Sequence, residues 1–445
     1  MQANNHTSED DGLSVRYRRY ALTILFLLYT FNFLDRQIVN ILAEPIKRDL
    51  HLADWQLGSL TGLSFALFYA SLALPIARLA ERGDRVKIVA ASAIVWSLFT
   101  GLCGLAQNFL QLFLTRVAVG VGEAGCTPAS HSLISDYTTR EKRASAMATF
   151  SLGIPVGSLV GMAVGGLIAD SLGWRFAFLI VGLPGVVLGL IALFTLPEPR
   201  RSAIGKVDKV EPPSFRDALS ELSGNRAYIW MTVAMILMCF VNYGQLAFHS
   251  SFFLRNHADG LDTLARQLQA FSGIALGPTG FLGVVLGIVI GVFGGIGTWL
   301  GGALADRAAR TDIRAYATVP AIAALALPLP IMITYLSPGA LSALILLSVP
   351  MLLQSVYYGP IFASVQSLVR SRTRATAAAI FLFFGNLVGL GFGPLTVGML
   401  SDVLAAHLGS GEGLRWALVV TAFASTAAAG AFFMARRTIR DDIVS

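Results

Sequence analysis

The sequence predicts an all-α membrane protein, with twelve transmembrane helices in two six-helix bundles. Three observations lead there. Of the 445 residues 55% are hydrophobic and 13% charged, with a mean hydropathy of +0.67, whereas soluble domains carry about 25% charged residues. Twelve apolar segments are each long enough to cross about 30 Å of hydrocarbon. The chain also repeats itself at offsets of 225, 231 and 232 residues.

Residues 1–19 read as a disordered tail without a signal-peptide cleavage site. Asn5-His6-Thr7 matches a glycosylation acceptor that a cytoplasmic tail would leave unused. The first bundle, residues 20–196, holds spans near 20–41, 55–79, 86–107, 109–131, 144–169 and 174–196. Only Gln107 and Asn108 separate the third from the fourth. Residues 197–225 form the linker, marked by Pro197, Pro199, Pro212 and Pro213 and mixed charge, with Phe215–Leu222 as a short surface helix. The second bundle, residues 226–435, holds spans near 226–254, 279–303, 315–336, 340–369, 374–402 and 414–435, and residues 436–445 form a second tail.

The repeat joins the halves in the same orientation. Leu79-Ala-Glu81-Arg82 ends span 2 and Leu304-Ala-Asp306-Arg307 ends span 8. Arg143-Ala-Ser-Ala opens span 5 and Arg374-Ala-Thr-Ala opens span 11. Gly166-Leu-Ile-Ala-Asp170 and Gly398-Met-Leu-Ser-Asp402 close the same two spans. That is a parallel duplication of six spans. Lysines and arginines divide 25 to 6 between alternate sets of loops. Both termini are therefore expected in the cytoplasm, and the net charge of +7 is an orientation signal with no nucleic-acid partner implied. Cys103, Cys126 and Cys239 all lie in apolar runs and read as small buried residues.

Four formal charges lie inside the spans, Asp35, Arg36, Arg116 and Glu123, all in the first half. Ionisable residues in hydrocarbon are costly and mark functional sites by default. Arg116 and Glu123 share one helix face, roughly 10 Å apart along the axis. Asp35, Arg36 and Arg116 lie at similar depth in the outer part of the membrane, with Glu123 nearer the midplane. Asp35 is expected to pair with Arg116, leaving Arg36 and Glu123 to face a cavity; the swapped pairing stays open. A structural ion pair is the plain alternative. A buried carboxyl holds its proton more tightly when desolvated and less tightly beside an arginine. A movement that shifts the arginine or admits water would load or release that proton. Glu123 is thus the candidate coupling residue, with Asp35 and Arg116 in its set. Arg36 suits an anion, because guanidinium pairs bidentately with phosphate or carboxylate, and Arg116 can share that role. Tyr29 and Asn32 join the expected substrate contacts.

The second half offers an aromatic and apolar lining instead. Span 7 carries Asn242, Tyr243, Gln245, Phe248 and His249; span 10 carries Gln354, Tyr357 and Tyr358; span 11 carries Phe381, Phe383, Phe384 and Asn386. His249 reads as an interface residue. One half charged and the other apolar would suit an amphiphilic anion. Small residues recur along span 5 (Gly153, Pro155, Gly157, Gly161, Gly165) and span 11 (Gly385, Gly389, Gly393, Pro394). They allow close backbone approach, either for packing alone or for spans that rock.

The Leu-Ala-(Glu/Asp)-Arg loops resemble the signature between spans 2 and 3 of the major facilitator superfamily. Gly302-Ala-Leu-Ala-Asp306-Arg307 is the closer copy, and the first has Ala77 and Asp84 where glycines are usual. Gly173-Trp174-Arg175 and Leu196-Pro-Glu198 resemble the same superfamily, and the likeness covers all twelve spans. Asp35-Arg36 with Arg116-x6-Glu123 resembles the Spinster lipid transporters, specifically a bacterial homologue. That resemblance implies proton-coupled movement of lysolipid or sphingosine-phosphate-like molecules. It also implies Arg36 at the headgroup, Glu123 as protonation site, and Thr127 and Phe150 on the cavity wall. The organic anion:proton symporters of the same superfamily share these motifs, which keeps a sugar-acid substrate as the alternative.

The expected mechanism is rocker-switch alternating access. Glu81, Arg82, Arg85, Asp306 and Arg307 would latch the cytoplasmic side, with Asp136 and Arg143 joining the first set. There is no nucleophile–base arrangement, metal cluster or phosphate loop. The expectation is therefore not an enzyme, with no cofactor beyond protons as coupling ion, and a monomer in a bacterial inner membrane. Its partners would be an amphiphilic substrate and the surrounding lipids. A lipid-binding sensor without flux is a further alternative. An enzyme would need Asp49, His51 and Asp54 as its site, and these read instead as a solvated loop.

Overall fold

The computed structural model describes residues 15–139, 142–199, 215–273, 275–370 and 373–442. The expected tails at both ends, including Asn5-His6-Thr7, and most of the linker lie outside the described residues. So do the side chains of Glu81 and Arg82.

Twelve spans are present. Eleven are single apolar stretches long enough to cross a membrane: Arg16–Leu50, Arg85–Cys103, Phe109–Tyr137, Ser145–Leu172, Trp174–Thr195, Arg226–Asn256, Pro278–Ala309, Ala315–Leu336, Ala340–Ser367, Thr376–Leu408 and Ser410–Asp442. These are span 1 and spans 3 to 12. Span 2 is Asp54–Gly58, continued by a π-helical turn at Ser59–Leu63 into Ser64–Arg82. The expected centres hold, but span 1 runs 35 residues where the hydropathy gave 22, because Lys47 and Arg48 extend its last turn beyond the apolar core. The narrow break before span 4 is real: the Asn108 side chain accepts from the Gln111 N–H at 3.0 Å and starts a new helix.

The duplication is visible in the backbone. Spans 5 and 6 are joined at Gly173 with φ 88°, and spans 11 and 12 at Gly409 with φ 84°. Both conformations favour glycine because it lacks a Cβ. Span 5 lies on span 1 so closely that a Cβ on Gly157 would stand 2.3 Å from the Thr30 carbonyl oxygen. Span 11 repeats this on span 7, where a Cβ on Gly393 would stand 2.5 Å from the Phe240 carbonyl oxygen. The glycine stripes are therefore tight packing faces.

The halves meet along two equivalent seams. In the seam of spans 2 and 11, a Cβ on Gly58 would lie 2.2 Å from the Pro394 carbonyl oxygen, and one on Gly398 2.2 Å from that of Asp54. In the seam of spans 5 and 8, a Cβ on Gly283 would lie 2.2 Å from the Met162 carbonyl oxygen. Lipid tails are as apolar as leucine, so close van der Waals contact carries these seams. Further π-helical turns sit at Val289–Phe293 in span 8 and Gly385–Leu390 in span 11. Three of the four seam helices thus carry an irregular turn, and such turns re-aim side chains.

Candidate functional site

The four intramembrane charges lie together, but their pairing is the swap of the one expected. Arg36 Nε donates to Glu123 Oε2 at 2.7 Å. Asp35 does not hydrogen-bond Arg116; its Oδ2 accepts from Thr100 Oγ1 of span 3 at 2.7 Å. Asp35 and Arg36 are consecutive, so they point about 100° apart on the helix. Arg36 takes the face turned to span 4, and Asp35 turns back into its own bundle.

Glu123 is fully buried and Arg116 is 2% exposed. Glu123 therefore does not face the cavity; it is reached through Arg36. Asn32 is also completely buried, lying beside Glu123 with neither amide atom in a normal hydrogen bond. It is an interior residue, which corrects its expected place among the substrate contacts.

Aromatic rings confine Arg36. Its Cζ lies 5.0 Å from the Phe33 ring centroid, 4.7 Å from Phe65 and 4.6 Å from Tyr69. Phe65 and Tyr69 stack on each other at 5.1 Å. Each desolvated cation–π contact is worth about 2 kcal/mol, so the three rings together hold the guanidinium in place. Sequence reasoning missed this cage. Its one signal was spacing: Phe65 and Tyr69 are four apart and share a face of span 2.

Between the halves is a cavity of about 50 Å³. Arg36, Arg116, Gln37 and Asn40 line it from the first half, and Tyr243, Leu246 and Leu390 from the second. The second-half wall is partly as expected. Tyr243 lines the cavity, and Asn242 Nδ2 donates to Tyr358 Oη at 3.2 Å. Tyr357 is 1% exposed and meets Cys239 Sγ at 3.4 Å. Gln245 is turned away: its Nε2 donates to the Leu418 carbonyl at 2.7 Å, and its Oε1 accepts from Tyr335 Oη at 2.5 Å. It ties spans 7, 9 and 12 together and is not a substrate contact in this arrangement. His249 joins that network through Tyr335, at 2.9 Å, as an interior residue. Tyr29 stacks on Phe150 with centroids 4.1 Å apart. Thr127 and Asn386 are half-buried.

Hydrogen bonds joining the halves cluster at the end away from the basic loops. Arg255 of span 7 donates to Glu44 Oε2 at 2.8 Å and to Asp54 Oδ1 at 2.7 Å. Lys47 Nζ meets Asp54 Oδ1 at 2.5 Å, and Ser401 Oγ donates to Asp54 Oδ2 at 2.6 Å. Asp402 accepts the backbone N–H groups of Asp54 and Trp55 at 2.9 and 2.8 Å. Asp54, expected in a solvated loop, is 1% exposed and is the hub of this latch. Its neighbour Asp49 pairs with Arg175.

The pairs expected to latch the basic end hold individual halves instead. Arg85, fully buried, reaches Glu198 Oε1 at 2.5 Å and Asp136 Oδ2 at 2.6 Å, both in the first half. Arg143 Nη2 donates to the Ser135 carbonyl at 2.9 Å. Asp306 accepts from Tyr316 Oη at 2.8 Å within the second half, and Arg307 is exposed. With the other end closed, these loops are tied within each bundle.

Among the described residues no group of histidine, cysteine, aspartate and glutamate could hold a metal, and the three cysteines are free and buried. The profile of the Major Facilitator Superfamily matches residues 25–394. An MFS-type efflux pump of Mycolicibacterium smegmatis is 32% identical over 445 residues, covering 100% of this chain and 98% of its own. Protein spinster homolog 3 of Danio rerio is 27% identical, covering 90% of this chain and 80% of its own. Crystal structures of a bacterial homologue of the human lysosomal transporter Spinster, inward-facing and either unoccupied or occupied, superpose with a TM-score of 0.83. They share 29% identity and cover 97% of this chain and 100% of theirs.

Proposed function

The chain belongs to the major facilitator superfamily, and from that premise we propose that it is a transporter of the Spinster type that moves amphiphilic anions coupled to protons. The substrate class is lysolipid or sphingosine-phosphate-like. The observation that carries the proposal is the direct Arg36–Glu123 pair at 2.7 Å. Arg36 lines the cavity, while its carboxylate partner stands behind it, out of the cavity. One guanidinium then serves two claimants, the Glu123 carboxylate and an arriving anionic headgroup. An anion that takes Arg36 leaves Glu123 without its cation, and a proton then replaces that charge. A proton that reaches Glu123 first releases Arg36. By linkage the two bindings favour each other equally. Protons are the coupling ion in this reading.

The Phe33, Phe65 and Tyr69 rings keep Arg36 within reach of both claimants. The aromatic and apolar wall of the second half accepts the chain of the amphiphile. The basic loops are read as orienting their end to the cytoplasm; on that reading the latched end faces outward and the state is the cytoplasm-facing one of alternating access. In the other state Arg255 would release Glu44 and Asp54, and the basic-end loops would close. The protein acts as a monomer in a bacterial inner membrane with both termini cytoplasmic.

The test is ligand affinity against pH in purified protein. Wild type should bind a lysolipid anion more tightly as pH falls, and Glu123→Gln should bind tightly at every pH while losing proton-driven transport in proteoliposomes. An unchanged pH dependence in Glu123→Gln overturns the coupling role. A short-chain sugar acid is assayed in parallel; its preference over the lysolipid would move the protein to the organic anion reading.

A further inference from the structure

We propose that the cavity between the halves is a binding site for a small inorganic anion, halide-sized, held by Arg116 and the Gln37 amide. This goes beyond the amphiphile reading, which uses Arg36 and Glu123. Two arginines line the cavity and no carboxylate does. Arg36 is committed to Glu123 at 2.7 Å. Arg116 is not: its Nε and Nη1 are buried without a hydrogen-bond partner. Asp35 and Glu123 both lie within electrostatic reach of Arg116, but neither hydrogen-bonds its Nε or Nη1: Asp35 gives its Oδ2 to Thr100 and Glu123 its Oε2 to Arg36. The Phe65 ring, 5.8 Å from Arg116 Cζ, offers a weak contact only.

A buried guanidinium with unmade hydrogen bonds is costly, and an anion is what its donors fit. The neighbouring amides supply further donors. Asn40 Nδ2 donates to Gln37 Oε1 at 2.9 Å, which fixes the Gln37 amide so that its NH2 group is the one left to the cavity. The remaining wall combines the apolar Phe65, Leu246 and Leu390 with Thr61 and Tyr243. A donor-rich pocket with partly apolar walls suits a weakly hydrated monatomic anion. At about 50 Å³ the cavity has room for such an ion with a few waters.

The experiment compares thermal unfolding of the purified full chain in sodium chloride, sodium bromide and sodium methanesulfonate at equal ionic strength. Chloride and bromide should raise the midpoint saturably, and methanesulfonate, a bulkier polyatomic anion, should not. Arg116→Gln should weaken halide affinity roughly tenfold to a hundredfold, the share of one or two charge-assisted hydrogen bonds. Gln37→Leu should weaken it less, and serves alone if Arg116→Gln does not fold. Anomalous scattering from bromide-soaked crystals should place the ion between Arg116 and Gln37. Equal stabilisation by methanesulfonate, an undiminished halide response in both variants, or bromide found only elsewhere overturns the site. Failure here with the pH behaviour of Glu123→Gln intact removes the anion site and leaves the coupling proposal standing.

Discussion

Arg36 and Asp35 are neighbours in sequence with opposite fates, and one helix rotation separates them. That the four charges lie together was legible, because no other formal charge lies deep within the apolar segments. Their pairing was not legible. It depends on which of two adjacent side chains faces span 4, and on an uncharged residue, Thr100, that captures Asp35 from span 3. The cage had no charge to announce it. A second residue-scale consequence lies just outside the membrane, at the junction after span 7. Burial against the Phe252 and Phe253 rings, and then the charge of Arg415, pushes the His257 imidazole below its usual pKa. A histidine with a depressed folded pKa binds fewer protons folded than unfolded. Its neutral form therefore costs nothing above the unfolded value near 6.5, and stability is lost as pH falls below it. Wild type should lose stability between pH 7 and pH 5 relative to His257→Gln, by at most about 1.4 kcal/mol per pH unit. Parallel melting curves for the two proteins would refute this.

At the scale of helices, the seams are set by backbone contact. The Gly58 position against Pro394, and Gly398 against Asp54, leave no room for a methyl group. Gly58→Ala must push span 2 from span 11, and overpacking of this kind costs about 1–3 kcal/mol. The open alternative does not carry that cost, so the variant should favour the state with this end parted. Spin labels at Trp55 and His407 should report a longer distance in Gly58→Ala than in wild type; an unchanged distance distribution would count against the seam as a gate. The glycine stripes could be read from sequence as close-packing faces, because periodicity survives without coordinates. Which helix each stripe meets could not, since spans 1 and 8 are both apolar enough to partner span 5. The π-helical turns left no trace in composition. Asn108, by contrast, marked a helix start through its cap chemistry.

For the whole molecule, twelve spans, duplication and sidedness were legible because hydropathy, repeat offset and basic-loop bias are global properties. The latch was not. Asp54 and Arg255 are 201 positions apart, and charges at span ends look like ordinary loop residues. Arg255→Ala would remove one cation from between two buried carboxylates, a break that costs about 3–5 kcal/mol in the closed state. The halves should then part at that end, and a cysteine placed at Ser401 should react with a membrane-impermeant thiol reagent in Arg255→Ala and resist it in wild type. Equal labelling would show that the seams alone hold the closure.

The uneven division of the cavity has a consequence in heredity. The four formal charges deep within the apolar segments, Asp35, Arg36, Arg116 and Glu123, belong to the first half, while the Tyr243 and Tyr358 wall belongs to the second. Under the proposed coupling, mutations in the second half can drift toward new cargo while Arg36 and Glu123 stay untouched. Mutations in the first half can alter the driving ion without changing what the wall accepts. A lineage descended from such a chain can diversify its cargo faster than its fuel.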